Sequence, residues 1–259
     1  MNYWTSLSVD YANQRSYLDD LFQVYPTIPE GIRDIDAAYW KSIEDAFNSK
    51  DDDRLIRLLL GQELFPIKDS YVAYIKRDPS AIDRNPKTIS RLCGRLREMG
   101  LTNIYERCSE PKETNRQIGP LFRRWLNKGT LGAPLVPLDN FLSSRSNAIL
   151  NSGDAEMMAF ARRHLNYRRE KGLDFVCRFN EKYIIGEAKF LTDFGGHQNA
   201  QFADGISTLE APDVKAIIIG VFDGVCYIKS NNKLYRHLEK NPQQNIMSAL
   251  VLREFLYSV

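Results

Sequence analysis

GLDFVCRFNEKYIIGEAKF, residues 172–190, holds two strand-like runs, LDFVCRF and KYIIGEAKF, on either side of Asn180-Glu181. A polar pair of this kind between two apolar runs predicts a tight turn and therefore a β-hairpin. Side chains alternate across a strand. The second run therefore puts Tyr183, Ile185, Glu187 and Lys189 on one face, and Ile184, Gly186, Ala188 and Phe190 on the other. Glu187 and Lys189 project side by side. Asp174 opens the first run, and the antiparallel return brings it opposite the end of the second, near Glu187. Two carboxylates and an ammonium set among Leu, Phe, Val, Ile and Cys need a partner.

A divalent cation suits that need. Asp174 and Glu187 offer hard oxygens of the kind Mg²⁺ takes, with Mn²⁺ as a substitute, and the Ala188 carbonyl between them is a further candidate ligand. Mg²⁺ keeps several waters and takes its remaining oxygens from a phosphate. Lys189 would stand beside the attacking water and the phosphate oxygens. There it would orient or help deprotonate the water and stabilise charge developing at phosphorus. The bland alternative is a hairpin whose acids only form salt bridges. A second acid-x-Lys triplet, Asp213-Val214-Lys215, follows Pro212 at the start of an apolar strand and has no acid-bearing hairpin partner, so it reads as structural.

The flanking sequence predicts the rest of an α/β unit. SGDAEMMAFARRHLNYRRE, residues 152–170, reads as a helix capped by Ser152, with Met157, Phe160 and Leu165 facing inward. After the hairpin come a helix, QNAQFADGISTL, and an almost wholly apolar strand, VKAIIIGVF, of the type buried on both faces of a sheet. GVCYIKS reads as a further short strand and IMSALVLREFLYS as a closing helix. The order α-β-β-α-β predicts a mixed central sheet flanked by helices.

Asp174, twelve residues, then Glu187-Ala188-Lys189 on a hairpin after a helix resembles the PD-(D/E)xK nuclease core. In length, spacing and context the chain looks like a type II restriction endonuclease, most clearly over residues 150–230. Leu173 stands where Pro precedes the acid in the family's pattern. The resemblance implies a restriction-endonuclease-like α/β core and Mg²⁺-dependent, sequence-specific double-strand cuts in DNA by phosphodiester hydrolysis. It implies double-stranded DNA as partner, a homodimer, a cognate DNA methyltransferase in the same system, and the cytoplasm of a prokaryote. It makes Asp174, Glu187 and Lys189 catalytic, and Asp174, Glu187 and Ala188 metal ligands. Glu156 is the matching candidate for the helix carboxylate that often completes such a site. The segment TDFGGHQNAQF, residues 192–202, looks like one found beside the active site in some restriction enzymes, so Gln198 and Gln201 are candidate DNA contacts, with His197 a candidate for a phosphate.

Composition sets the outer bounds. At 259 residues, 43% hydrophobic and 26% charged, the chain has the balance of a globular protein rather than a disordered or fibrous one. It contains no apolar run near the roughly 20 residues that span a bilayer, and the polar, acidic start is unlike a signal peptide. Cys93, Cys108, Cys177 and Cys226 lie too far apart for a zinc cluster, and they do not suggest a disulfide framework.

Charge is segregated. Residues 1–53 carry four Lys/Arg against eleven Asp/Glu, and residues 84–128 carry eleven Lys/Arg against four Asp/Glu. The second stretch points to a polyanion-binding surface, with solvated helical faces as the ordinary alternative. Residues 1 to about 75 read as helical. NPKTISRLCGRLREMGLTNIYERC then predicts a helix from Pro86, with Gly100 as its stop and Leu101–Cys108 beginning a strand. A basic helix followed by Gly and a strand resembles the recognition helix and wing of a winged helix-turn-helix. Lys87, Thr88, Arg91 and Arg95 are its candidate DNA contacts, Arg116, Arg123 and Arg124 those of the next helical stretch, and Arg168 and Arg169 those of a cluster just before Asp174.

The expected division is a mainly helical recognition region, 1–149, ending in a Gly- and Pro-rich connector (129–150), and an α/β nuclease core, 150–259. Two other readings remain open on sequence: a PD-(D/E)xK nuclease with a repair task, and a winged-helix DNA-binding protein without catalysis.

Overall fold

A computed structural model describes residues 1–26, 33–110 and 118–259. It divides the chain into a sheet-containing unit, Met1–Thr27 with Thr114–Val259, and a second unit, Ile28–Glu113. The division therefore does not fall at 149/150. The first 26 residues form helices α1 (Tyr3–Gln14) and α2 (Tyr17–Val24), which belong to the sheet unit.

Helices α3 (Ala37–Asn48), α4 (Asp52–Gly61), α5 (Val72–Arg77), α6 (Ala81–Arg84) and α7 (Pro86–Cys108) make up the second unit. Asp36 and Asp51 cap α3 and α4 by accepting the amides of Tyr39 and Arg54, which satisfies donors that a helix start otherwise leaves open. Ile43, Leu55, Ile56, Leu59, Leu92 and Leu96 form its core. The expected wing is absent, because Leu101–Cys108 is helical and residues 33–110 contain no strand. Gly100, at φ 78° and ψ 157°, ends the first helical stretch of α7 as the sequence predicts, and a second stretch follows it to Cys108. That second stretch is helical and not a strand, and it buries Ile104 and Cys108 in the same core.

The sheet unit continues with α8 (Ile118–Asn127), β1 (Leu135–Val136), α9 (Leu138–Ser143), β2 (Ala148–Leu150), α10 (Asp154–Leu165), β3 (Phe175–Phe179) and β4 (Lys182–Leu191). It closes with α11 (Gly196–Leu209), β5 (Ile217–Gly224), α12 (Lys233–Lys240), β6 (Asn245–Met247) and α13 (Leu252–Ser258). The six strands lie in sequence order; β2-β3-β4 pair antiparallel, and β1-β2 and β4-β5-β6 pair parallel. The result is a mixed α/β fold. The expected connector in fact supplies β1, α9 and β2. GVCYIKS contributes a 3₁₀ turn at Val225–Tyr227 rather than a strand, and the closing helix begins only at Leu252, after β6.

The hairpin forms as the sequence predicts. Phe179 pairs with Lys182 across a two-residue turn in which Asn180 and Glu181 have φ 47° and 62°, the left-handed pair that a type I′ turn requires. The two faces of β4 enter different cores. Ile184 and Ala188 pack with Leu121, Phe122 and Trp125 of α8, and Ile185 packs with Met157, Phe160 and Leu165 of α10. Helix α11 approaches closely at Gly205, where a Cβ would lie 2.5 Å from the Phe222 ring and 3.6 Å from Lys189 Cγ. That approach places Asp204 over the end of β4. Among the described residues no helix is long and apolar enough to cross a membrane.

Candidate active site

The register sets Asp174 just outside β3. Its amide donates to the Gly186 carbonyl at 3.1 Å, and its Oδ2 accepts the Ala188 amide at 2.9 Å. A strand residue's N–H and C=O leave on the same edge, so the Ala188 carbonyl also opens toward the Asp174 side. Glu187, one residue earlier and on the opposite face, is only 2% exposed.

Its carboxylate is divided in function. Oε2 forms ion pairs with Lys189 and with Lys171, each at 3.1 Å, while Oε1 is buried without a hydrogen-bond partner. Lys171 also donates to Asp204 Oδ2 at 2.7 Å and to the Asp204 carbonyl at 3.0 Å; Lys189 stands 3.7 Å from Asp204 Oδ2. Burial pushes the Asp174 carboxyl above the usual range, against the pull of the Ala188 amide and Lys189. Glu187 is pushed up by burial and by the Asp174 charge. Burial alone would lower Lys189, but Glu187 and Asp174 outweigh it and raise the ammonium's pKa.

The donor set fits a hard divalent cation. A buried carboxylate oxygen without a partner, on an acid whose ionised form the neighbouring Asp174 charge disfavours, is a place where positive charge lowers the energy. Among the described residues no three His, Cys, Asp or Glu side chains gather as a ready metal site. The protein ligands on offer are Asp174, Glu187 and the Ala188 carbonyl.

Glu156 does not join them. Its carboxylate accepts from Ser152 Oγ at 2.6 Å and from the Gly153 amide at 3.4 Å, folding back over the start of α10, where Gly153, not Ser152, holds the cap position. Those bonds hold it below the usual carboxylate range. It lines a cleft with Phe160, Arg163 and His164. Asp154, two residues earlier, is the acid on the Asp174 side. The two line a cleft of about 390 Å³ with Arg123, Arg124 and Asn127 of α8, and Asp154 is ion-paired to Arg123.

The expected DNA contacts divide by accessibility. Arg124 and Arg168 are exposed, and His197 is exposed with its Nε2 3.0 Å from Gln201 Nε2. Gln198 is buried, its Oε1 accepting the Thr192 amide; it ties the loop to α11 and does not face outward. Arg169 is spent on the Ser207 carbonyl and hydroxyl. In the second unit Lys87, Arg91 and Arg95 are exposed, although Arg91 is paired with Asp69 at 2.6 Å. Thr88 lines a cleft of about 560 Å³ with Tyr71, Tyr74, Ile75, Arg84 and Asn85. Arg116 lies outside the described residues.

Sequence reasoning missed Lys171, Asp204 and Asp154. Lys171 lies in the basic run just before Asp174, and nothing in its spacing marks it as turned inward. A family model described as Tsp45I type II restriction enzyme matches residues 2–259. No curated protein and no solved structure matches the chain.

Proposed function

For this chain, which belongs to the Tsp45I type II restriction enzyme family and is a type II restriction endonuclease acting on DNA, we propose that Asp174, Glu187 and Lys189 are the catalytic centre of a PD-(D/E)xK core. The observation that carries the reading is the Glu187 carboxylate, buried, paired on one oxygen with Lys189 and open on the other beside Asp174. Asp174, Glu187 and the Ala188 carbonyl would hold Mg²⁺, or Mn²⁺ in its place, which when bound supplies positive charge at the scissile phosphate and makes water more acidic.

The protein's own groups do the rest. The Ala188 amide fixes Asp174. Lys189, with one close acceptor, has N–H donors to spare for the attacking water and for a phosphate oxygen, where it stabilises charge developing at phosphorus. Asp154 is the helix acid nearest this chemistry, in place of Glu156. In-line attack of water on phosphorus leaves a 5′-phosphate and a 3′-hydroxyl. Arg124 and Arg168, with Arg123, grip the backbone near the cut, which positions DNA without reading sequence. The Ile28–Glu113 unit contacts the target DNA through Lys87, Thr88, Arg91 and Arg95, with Lys87 and Arg95 on phosphates. One site per chain against two strands calls for a homodimer and a symmetric target. A methyltransferase protecting the host's own sites belongs to the same system, in a prokaryotic cytoplasm.

The test is Lys189→Ala with cleavage and DNA binding measured side by side. Cleavage lost with binding kept supports the assignment; cleavage at the wild-type rate overturns it.

A further inference from the structure

We propose that Lys171 is a positioning residue that competes with the divalent cation for Glu187, and so holds down cation affinity in the DNA-free enzyme. The inference rests on the reading of Asp174 and Glu187 as cation ligands.

The two lysines on Glu187 Oε2 are not equivalent. An ammonium has three N–H donors. Lys171 donates two hydrogen bonds to Asp204, to Oδ2 at 2.7 Å and to the carbonyl at 3.0 Å, besides its ion pair with Glu187 Oε2 at 3.1 Å. Lys189 has its pair with Glu187 Oε2 at 3.1 Å, with Asp204 Oδ2 at 3.7 Å. Lys189 therefore keeps donors for substrate, whereas Lys171 is tethered to Asp204. Its tether comes from α11, drawn against the sheet at Gly205.

Two ammonium groups on one oxygen of a buried carboxylate leave little negative charge for a divalent ion approaching the open Oε1. Like charges a few ångströms apart in a partly dry site repel strongly. When a cation binds Glu187, Lys171 retains its shorter contact with Asp204, so it yields the oxygen without becoming an unpaired buried charge. Lys189 has no such second partner at close range.

Titration of the intact, DNA-free protein with Ca²⁺ by calorimetry tests this. Lys171→Met and Lys171→Gln should each bind Ca²⁺ about ten-fold more tightly than wild type, and Lys171→Arg, which keeps the charge, should stay within about two-fold. Unchanged or weaker binding in both Lys171→Met and Lys171→Gln overturns the inference, as does a gain in Lys171→Arg equal to theirs. Glu187→Gln separates the two readings. If it binds Ca²⁺ like wild type, the assignment of Glu187 as a cation ligand fails. If it binds weakly while the neutral Lys171 variants match wild type, only the role of Lys171 fails.

Discussion

The amide of Ala188 donates to Asp174 Oδ2 at 2.9 Å, tying the acid at the mouth of the hairpin to the central residue of Glu187-Ala188-Lys189. The bond needs an acceptor and not a charge, so Asp174→Asn preserves it. Burial already disfavours the charged form of Asp174. Its neutral amide should therefore fold with stability at pH 8 no lower than wild type, while cleavage falls by on the order of 10²–10³-fold or more. Denaturant unfolding and a cleavage time course check both halves; a stable, fully active Asp174→Asn protein contradicts the assignment.

The two acids of the first turn of α10 should separate cleanly. Glu156→Ala removes the carboxylate that accepts from Ser152 and the Gly153 amide at the start of α10 and should leave the cleavage rate within about three-fold of wild type. Asp154→Ala, in the cleft with Asp174, should lower cleavage by about 10²-fold. The opposite ranking of cleavage rates would return the role to Glu156.

Asp223 supplies a pH dependence unconnected with catalysis. It is fully buried and accepts bonds from the Tyr17 and Tyr25 hydroxyls, Ser248 Oγ and the Ala249 amide. Burial nevertheless outweighs those bonds and raises its carboxyl from 3.8 to about 6. The folded state then holds the proton more tightly than the unfolded chain. This contribution is complete below the unfolded value and lost as pH rises through about 6. Two units correspond to about 3 kcal/mol. The stability of wild type relative to Asp223→Asn should fall by about that much between pH 4 and pH 7, measured by denaturant unfolding, and a pH-independent difference would contradict it.

Lys87 and Arg95 are exposed on α7 and are assigned to DNA phosphates. Each Ala variant should weaken binding at all sequences alike and reduce the slope of log affinity against log salt by about 0.9. An unchanged slope would remove α7 from the DNA interface.

The hairpin was legible because its signals are local. Alternation from Tyr183 to Phe190, and a turn pair that accepts positive φ at Asn180 and Glu181, fix its faces and register without knowledge of the rest of the fold. What failed depended on tertiary packing. Gly100 stops the helix as its signature says, but Ile104 and Cys108 beyond it are buried in a helical core, so a second helix follows where the sequence predicts a strand. Asp154 and Glu156 lie two residues apart, about 200° around the helix, and only the way α10 packs decides which acid meets Asp174. Lys171 precedes β3 in an irregular stretch with no period to show where its side chain turns. Gln198, a candidate DNA contact at the start of α11, turns its side chain inward to the Thr192 amide.

The central claim is that the Asp174–Glu187–Lys189 hairpin cuts DNA with a divalent cation. The most direct measurement incubates DNA of known sequence with wild type and Glu187→Gln, each in Mg²⁺ and in chelator. The account predicts discrete fragments from wild type in Mg²⁺ alone and intact DNA in the other three reactions. Discrete fragments from Glu187→Gln at the wild-type rate would contradict it.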